Sequence, residues 1–189
     1  MNKQNTKQNI KKIALCAVMI ALGTVLSTIK IDAPLGGGIT ILSMVPVAFL
    51  SCMLGLGWGF AAAFVYSAIQ LFLSMGDVMS WGLSLGAIVA TFLLDYIVAY
   101  VVLGFSGILR KKGAWGIVAG VAIATFLRFL CHYFTGVYIF DVWMPESWNN
   151  EWLYSLCYNG AYMLPEIILT CVGTALLVKS KAIQKMLKI

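Results

Sequence analysis

The chain has 189 residues, 61% of them hydrophobic and 11% charged, with a net charge of +6. Soluble domains run near half apolar and a quarter charged, so this composition excludes a water-soluble fold and requires lipid as solvent. The basic residues flank apolar runs instead of gathering on one stretch, which excludes a nucleic-acid patch and points to membrane topology.

A helix needs about 20 apolar residues to cross the hydrocarbon. Lys3 and Lys7 precede the first predicted span, 10–29, and Lys11 and Lys12 stand at its very start, ahead of its apolar run. That span has no small-x-small exit and more spans follow, so it reads as a retained helix, not a cleaved leader. The glycine-rich segment DAPLGGGIT, 32–40, predicts a flexible hinge or gate. The second span, 41–54, is short for a full crossing. The third is 58–75 and the fourth 83–109, the latter enclosing Asp95. The turn Arg110, Lys111, Lys112 separates it from the fifth, 114–138, which carries Arg128 and His132. In the loop DVWMPESWNNEW, Trp143, Trp148 and Trp152 suit a membrane interface or a lid over a site. The sixth span, 152–178, holds Asn159, Pro165 and Glu166, and Lys179, Lys181, Lys185 and Lys188 close the chain. The expected fold is an all-α integral membrane protein of six transmembrane helices, forming one domain over 1–189.

With both termini in the cytoplasm, the inner side receives eleven of the thirteen Lys and Arg, and the outer side only Lys30. The outer loops hold Asp32, Asp77, Asp141, Glu146 and Glu151 instead. An odd number of spans would break this segregation. The five cysteines form no C-x-x-C pair and mostly lie in apolar runs, so they read as small buried hydrophobes.

Ionisable groups inside a span are expensive and face the bundle interior or a wet cavity. Here they are Asp95, Arg128, His132 and Glu166. In one reading Asp95 and Arg128 pair and only fix helix packing. In another the polar groups share a pocket. His132 and Asn159 then lie at similar depth, about 9 and 10 Å below the outer surface at about 1.5 Å rise per residue. Asn159, Tyr162 and Glu166 form one stripe on the sixth helix, with Tyr154 and Tyr158 nearby, and Pro165 is expected to kink it. Aromatic walls, carboxylates, an imidazole and an amide suit a small, flat, partly cationic heteroaromatic ligand. No metal cluster, phosphate loop or nucleophile motif is present in the sequence, so no catalytic residue is assigned. An intramembrane acid–base enzyme using His132 and Asp95, and a structural subunit, stay as alternatives.

Three stretches carry a family likeness. RFLCHYFTGVYIF (128–140) and YSLCYNG (154–160) resemble the thiamine-specific S component of energy-coupling factor transporters. LLDYIVAY (93–100) looks like that family's fourth-helix motif, and GITILSMVPV (38–47) is similar to its second-helix start. The resemblance implies the S-component fold and substrate-binding roles for Asp95, Tyr96, His132, Tyr154 and Asn159. The family's stacking tryptophan falls on Phe140 and its usual glutamate on Asp95; both are departures. Trp81 is the candidate for a further wall, and Arg128 borders the same pocket. The resemblance further implies high-affinity capture and import of thiamine, with no enzymatic activity and no cofactor. Another vitamin or precursor, such as hydroxymethylpyrimidine or riboflavin, is the alternative ligand. The implied location is the bacterial plasma membrane. The implied partners are one transmembrane protein and two ATPases, which alone use ATP, docked on Ala17 and Ala21 of the first helix, where small residues permit close approach.

Overall fold

The computed structural model describes residues 3–187; Lys188 lies outside them. Helix α1 spans Lys3–Ser27. An antiparallel hairpin follows, β1 Lys30–Asp32 and β2 Gly38–Thr40, with Ile31 opposite Ile39. Then come α2, Met44–Leu54, and α3, Leu56–Ser80. Helix α4 occupies 85–107 and changes its winding along the way. It is α-helical over Leu85–Thr91, π-helical over Phe92–Val98, α-helical over Ala99–Val101 and 3-10 over Val102–Gly107. Helix α5 is Gly113–Tyr138, α6 is Glu151–Lys179, and a short α7 is Lys181–Leu187.

Among the described residues, four stretches are long and apolar enough to cross a membrane: Gln4–Ser27, Leu56–Ser80, Leu85–Tyr138 and Glu151–Lys179. The third contains α4 and α5, which pack against each other across the Arg110–Lys112 turn. With α2 these make the expected six-helix membrane bundle. Helix α2 is shorter because it is encased: Met44 through Cys52 are all buried, with α1, α3 and α4 around them. A helix walled by protein need not match the bilayer thickness.

Helix boundaries differ from the apolar runs where polar residues keep the helix going. Helix α1 begins at Lys3 and not near Ile10, because Lys and Gln are good helix formers and the polar turns extend past the hydrocarbon. Helix α3 continues five residues past Met75 and so carries Asp77 on its last turns. The segment read as a hinge is instead a closed hairpin, tied by Gly36 N–H to Ala33 O at 3.0 Å and Ala33 N–H to Gly37 O at 3.1 Å. Helix α7, which the apolar runs did not reveal, is amphipathic. Its Ile183 and Leu187 pack on a core of Ala48, Phe49, Cys52, Ile117, Val121 and Val178, while Lys181 and Lys185 stay out of it.

Backbone groups freed by the winding changes find partners within the protein, as lipid requires. Ser51 Oγ donates to Gly104 O at 2.5 Å and accepts from Gly107 N–H at 3.1 Å, tying α2 to the 3-10 end of α4. On α1, Cys16, Ile20, Gly23 and Ser27 are buried, whereas Ala14, Ala17 and Ala21 are exposed on the opposite face.

Candidate functional site

The hairpin end of the bundle holds a cavity of about 570 Å³. Its polar wall starts on α4. The π-helical turn over Phe92–Val98 contains Asp95, which is only 7% exposed. Such turns widen a helix locally and recur where a side chain is aimed at a functional centre. His132 Nδ1 lies 3.1 Å from Asp95 Oδ1, which also accepts the hydroxyl of Thr135, one turn further along α5. A carboxylate beside Nδ1 favours the tautomer with its proton on that nitrogen, in which Nε2 is an acceptor. That Nε2 is buried and has no protein partner.

Across from His132 stands Asn159 of α6. Its Nδ2 donates to Ser155 O at 3.0 Å and Ser155 Oγ at 3.1 Å, and its Oδ1 accepts from Tyr162 OH at 2.7 Å. The amide is therefore locked, with one lone pair of Oδ1 to spare. Gly136 makes this juxtaposition possible. A Cβ there would lie 2.2 Å from Ser155 Oγ and 2.7 Å from Asn159 Nδ2, so any side chain would push α5 and α6 apart.

Arg128 and Glu166 lie deeper along the same two helices. Arg128 Nη1 meets Glu166 Oε2 at 2.9 Å, and the guanidinium lies 4.3 Å from the centre of the Tyr100 ring. The proposed Asp95–Arg128 pair is thus replaced by two pairs, Asp95 with His132 and Arg128 with Glu166. Both oxygens of Glu166 are used, since Oε1 accepts the Thr40 N–H at 2.7 Å together with the Thr40 hydroxyl.

Aromatic rings complete the walls. Phe140 and Trp143 stack at 5.4 Å and 17°, and Trp81 stands edge-on to both at 5.8 and 5.9 Å. Opposite them Tyr154, Tyr158 and Tyr162 form a ladder on successive turns of α6, 5.9 and 6.0 Å apart. The hairpin turn closes against this ladder. Gly37 sits at φ 79°, and a Cβ on it would lie 2.7 Å from the Tyr162 ring. Helix α6 is continuous through Pro165.

All eight residues singled out from the sequence line this one cavity: Trp81, Asp95, Tyr96, Arg128, His132, Phe140, Tyr154 and Asn159. Ala17 and Ala21 lie on α1 and do not line it. The sequence reading left Trp143 between a membrane interface and a lid over the site, and it passed over Tyr100, Gln70 and Lys30; all four line the cavity. A spacing of three from Phe140 was the available signal for Trp143. Nothing local marks Gln70, whose Nε2 bonds Ser27 Oγ at 2.9 Å across two helices.

A membrane bundle enclosing a flat-walled hollow with fixed donors and acceptors is built to bind a small solute. Its charged lining comprises Asp77, Asp95 and Glu166 against Lys30 and Arg128, a net of one negative charge with His132 neutral. Comparison with known proteins gives the lineage. The sequence model of the family described as "Thiamine transporter protein" matches residues 13–186, and the chain belongs to this family. It is 26% identical to thiamine transporter ThiT of Bacillus subtilis over 94% of this chain and 93% of that protein. It is also 26% identical to thiamine transporter ThiT of Lacticaseibacillus paracasei over 71% of this chain and 70% of that one. A solved structure of ThiT from Listeria monocytogenes superposes with a TM-score of 0.75 at 22% identity, covering 95% of this chain and 98% of that chain, which shows the shared fold. The protein is thus a membrane protein of a transporter family, not an enzyme.

Proposed function

We propose that the chain is the substrate-capturing membrane subunit, the S component, of an energy-coupling factor importer, and that its ligand is thiamine. The observation that carries this reading is the composition of the cavity: aromatic faces, a net single negative charge, and an imidazole acceptor left without a protein partner. Thiamine is a monocation of two flat rings, a thiazolium and an aminopyrimidine, joined by a methylene. Its rings stack on Phe140, Trp143 and Trp81, where aromatic faces attract positive charge. Its exocyclic amine donates to His132 Nε2 and to the spare lone pair of Asn159 Oδ1. Asp95 offers the counter-charge, and Tyr96 and Tyr154 border the ligand. The cavity volume lies in the range usual for small-ligand sites.

Asymmetric loop charge supports an orientation with both termini in the cytoplasm and the hairpin end outside, in the bacterial plasma membrane. The chain, one domain, then captures thiamine from outside. It has no means of its own to drive uptake against a gradient, so energy comes from ATP used by partner subunits, a transmembrane protein with two ATPases. The exposed Ala17 and Ala21 give α1 a face that a partner helix can approach closely.

The test is a titration of intrinsic tryptophan fluorescence in detergent, since Trp81 and Trp143 both line the cavity. Thiamine is expected to quench emission saturably with one site per chain, while riboflavin and hydroxymethylpyrimidine at the same concentration leave it unchanged. Quenching by riboflavin and none by thiamine would assign the cavity to a different vitamin.

A further inference from the structure

Glu166 is a buried group of the cavity with three hydrogen bonds, and capture of a cation does not by itself explain its arrangement. It is 2% exposed, and each of its oxygens has a separate duty. Oε2 receives Arg128 Nη1 at 2.9 Å. Oε1 receives both donors of Thr40, the last residue of β2, including its N–H at 2.7 Å. The Thr40 hydroxyl is in turn 2.6 Å from Ser43 Oγ at the start of α2. Gly37 and Gly38 of the same hairpin line the cavity, and the turn rests on Tyr158 and Tyr162. The hairpin is therefore a cavity wall whose hydrogen bonds to α6 run through one carboxylate.

We propose that Glu166 is a positioning residue that latches the β1–β2 hairpin across the cavity, with Arg128 holding the latch in place, so that ligand escape requires Thr40 to leave Glu166. A carboxylate can accept at both oxygens, whereas a glutamine can accept at only one. In Glu166→Gln, either Arg128 or Thr40 must lose its acceptor. The guanidinium, charged and buried, keeps it, and the hairpin is released. Thr40→Val removes one of the two bonds while leaving the ion pair intact.

This inference rests on the thiamine reading for its kinetic part only. Hydrogen exchange on the ligand-free full chain in detergent reads the latch itself. A hydrogen bond to a charged group contributes about 1.5–3 kcal/mol, and about 1.4 kcal/mol is tenfold. In Glu166→Gln the amide at position 40 is accordingly expected to exchange at least about tenfold faster, and in Thr40→Val, which keeps the N–H bond, by a smaller factor, with the amides of α5 and α6 unchanged in both. Thiamine is expected to dissociate at least about tenfold faster, with a smaller change in its association rate. Unchanged exchange at position 40 in both variants overturns the latch, and so does faster exchange throughout the bundle or dissociation within about twofold of the parent. Failure of the parent chain to bind thiamine would overturn the substrate reading, and the exchange result would still decide the latch.

Discussion

Asp95→Ala is expected to weaken thiamine binding by about two to three orders of magnitude. The carboxylate does two things at once. It supplies negative charge to a hollow whose lining nets one negative charge, and it pairs with His132 Nδ1 while accepting the Thr135 hydroxyl. Alanine removes the charge and leaves His132 Nδ1 without its carboxylate, while the Thr135 hydroxyl falls back on Cys131 O and His132 O at 3.1 and 3.0 Å. Breaking a buried pair by deleting one partner costs about 3–5 kcal/mol, and each 1.4 kcal/mol is about tenfold in affinity. Part of that penalty falls on the free protein, which holds the effect near the lower end. Asp95→Asn separates the contributions: it keeps an acceptor for His132 but loses the charge, so its loss is expected to be about tenfold. The fluorescence titration measures both variants, and far-ultraviolet circular dichroism checks that the helices persist. Equal affinity in the parent and Asp95→Asn would mean that the carboxylate orients His132 without serving as a counter-ion.

The second large effect concerns stability. Arg128→Met is expected to lower unfolding free energy by about 3–5 kcal/mol, because it leaves Glu166 ionised, buried and without its partner. The double variant Arg128→Met with Glu166→Gln is expected to regain most of the loss. Glutamine carries no charge to strand and still offers one oxygen to Thr40, and methionine fills volume beside Met44 and Met163, whose sulfurs already touch Arg128 at 3.1 and 3.8 Å. Thermal unfolding in detergent measures the set. A single variant as stable as the parent would mean that the ion pair is incidental to packing.

Much of this architecture is legible in the amino-acid order, for a physical reason. In lipid a polar side chain is conspicuous, so Asp95, Arg128, His132, Asn159 and Glu166 stand out against their apolar runs, and equal depth on antiparallel neighbours brings His132 near Asn159. Partner choice is not legible in this way. Asp95 and Glu166 compete for two cationic or protic groups on α5, one helical turn apart, and the π-helical winding of α4, which no residue pattern announces, sends Asp95 to His132. The hairpin was missed because strands of three residues carry too little alternation to see, and four of the nine residues in DAPLGGGIT are glycine or proline. Its closure depends on Tyr158, Tyr162 and Glu166, all more than a hundred residues away. Trp143 stayed open between two roles because an indole near a helix end satisfies an interface and a cavity wall equally well. Only its stacking on Phe140 at 5.4 Å separates the two roles, and that indole stands three residues from the position where the family's tryptophan would fall.

The most direct measurement is an experimental structure of the chain with thiamine present. The account predicts the ligand inside the cavity, one ring parallel to the Phe140–Trp143 stack and its amine within hydrogen-bonding distance of His132 Nε2. Thiamine bound tightly elsewhere on the protein, with this hollow occupied only by water, would contradict it.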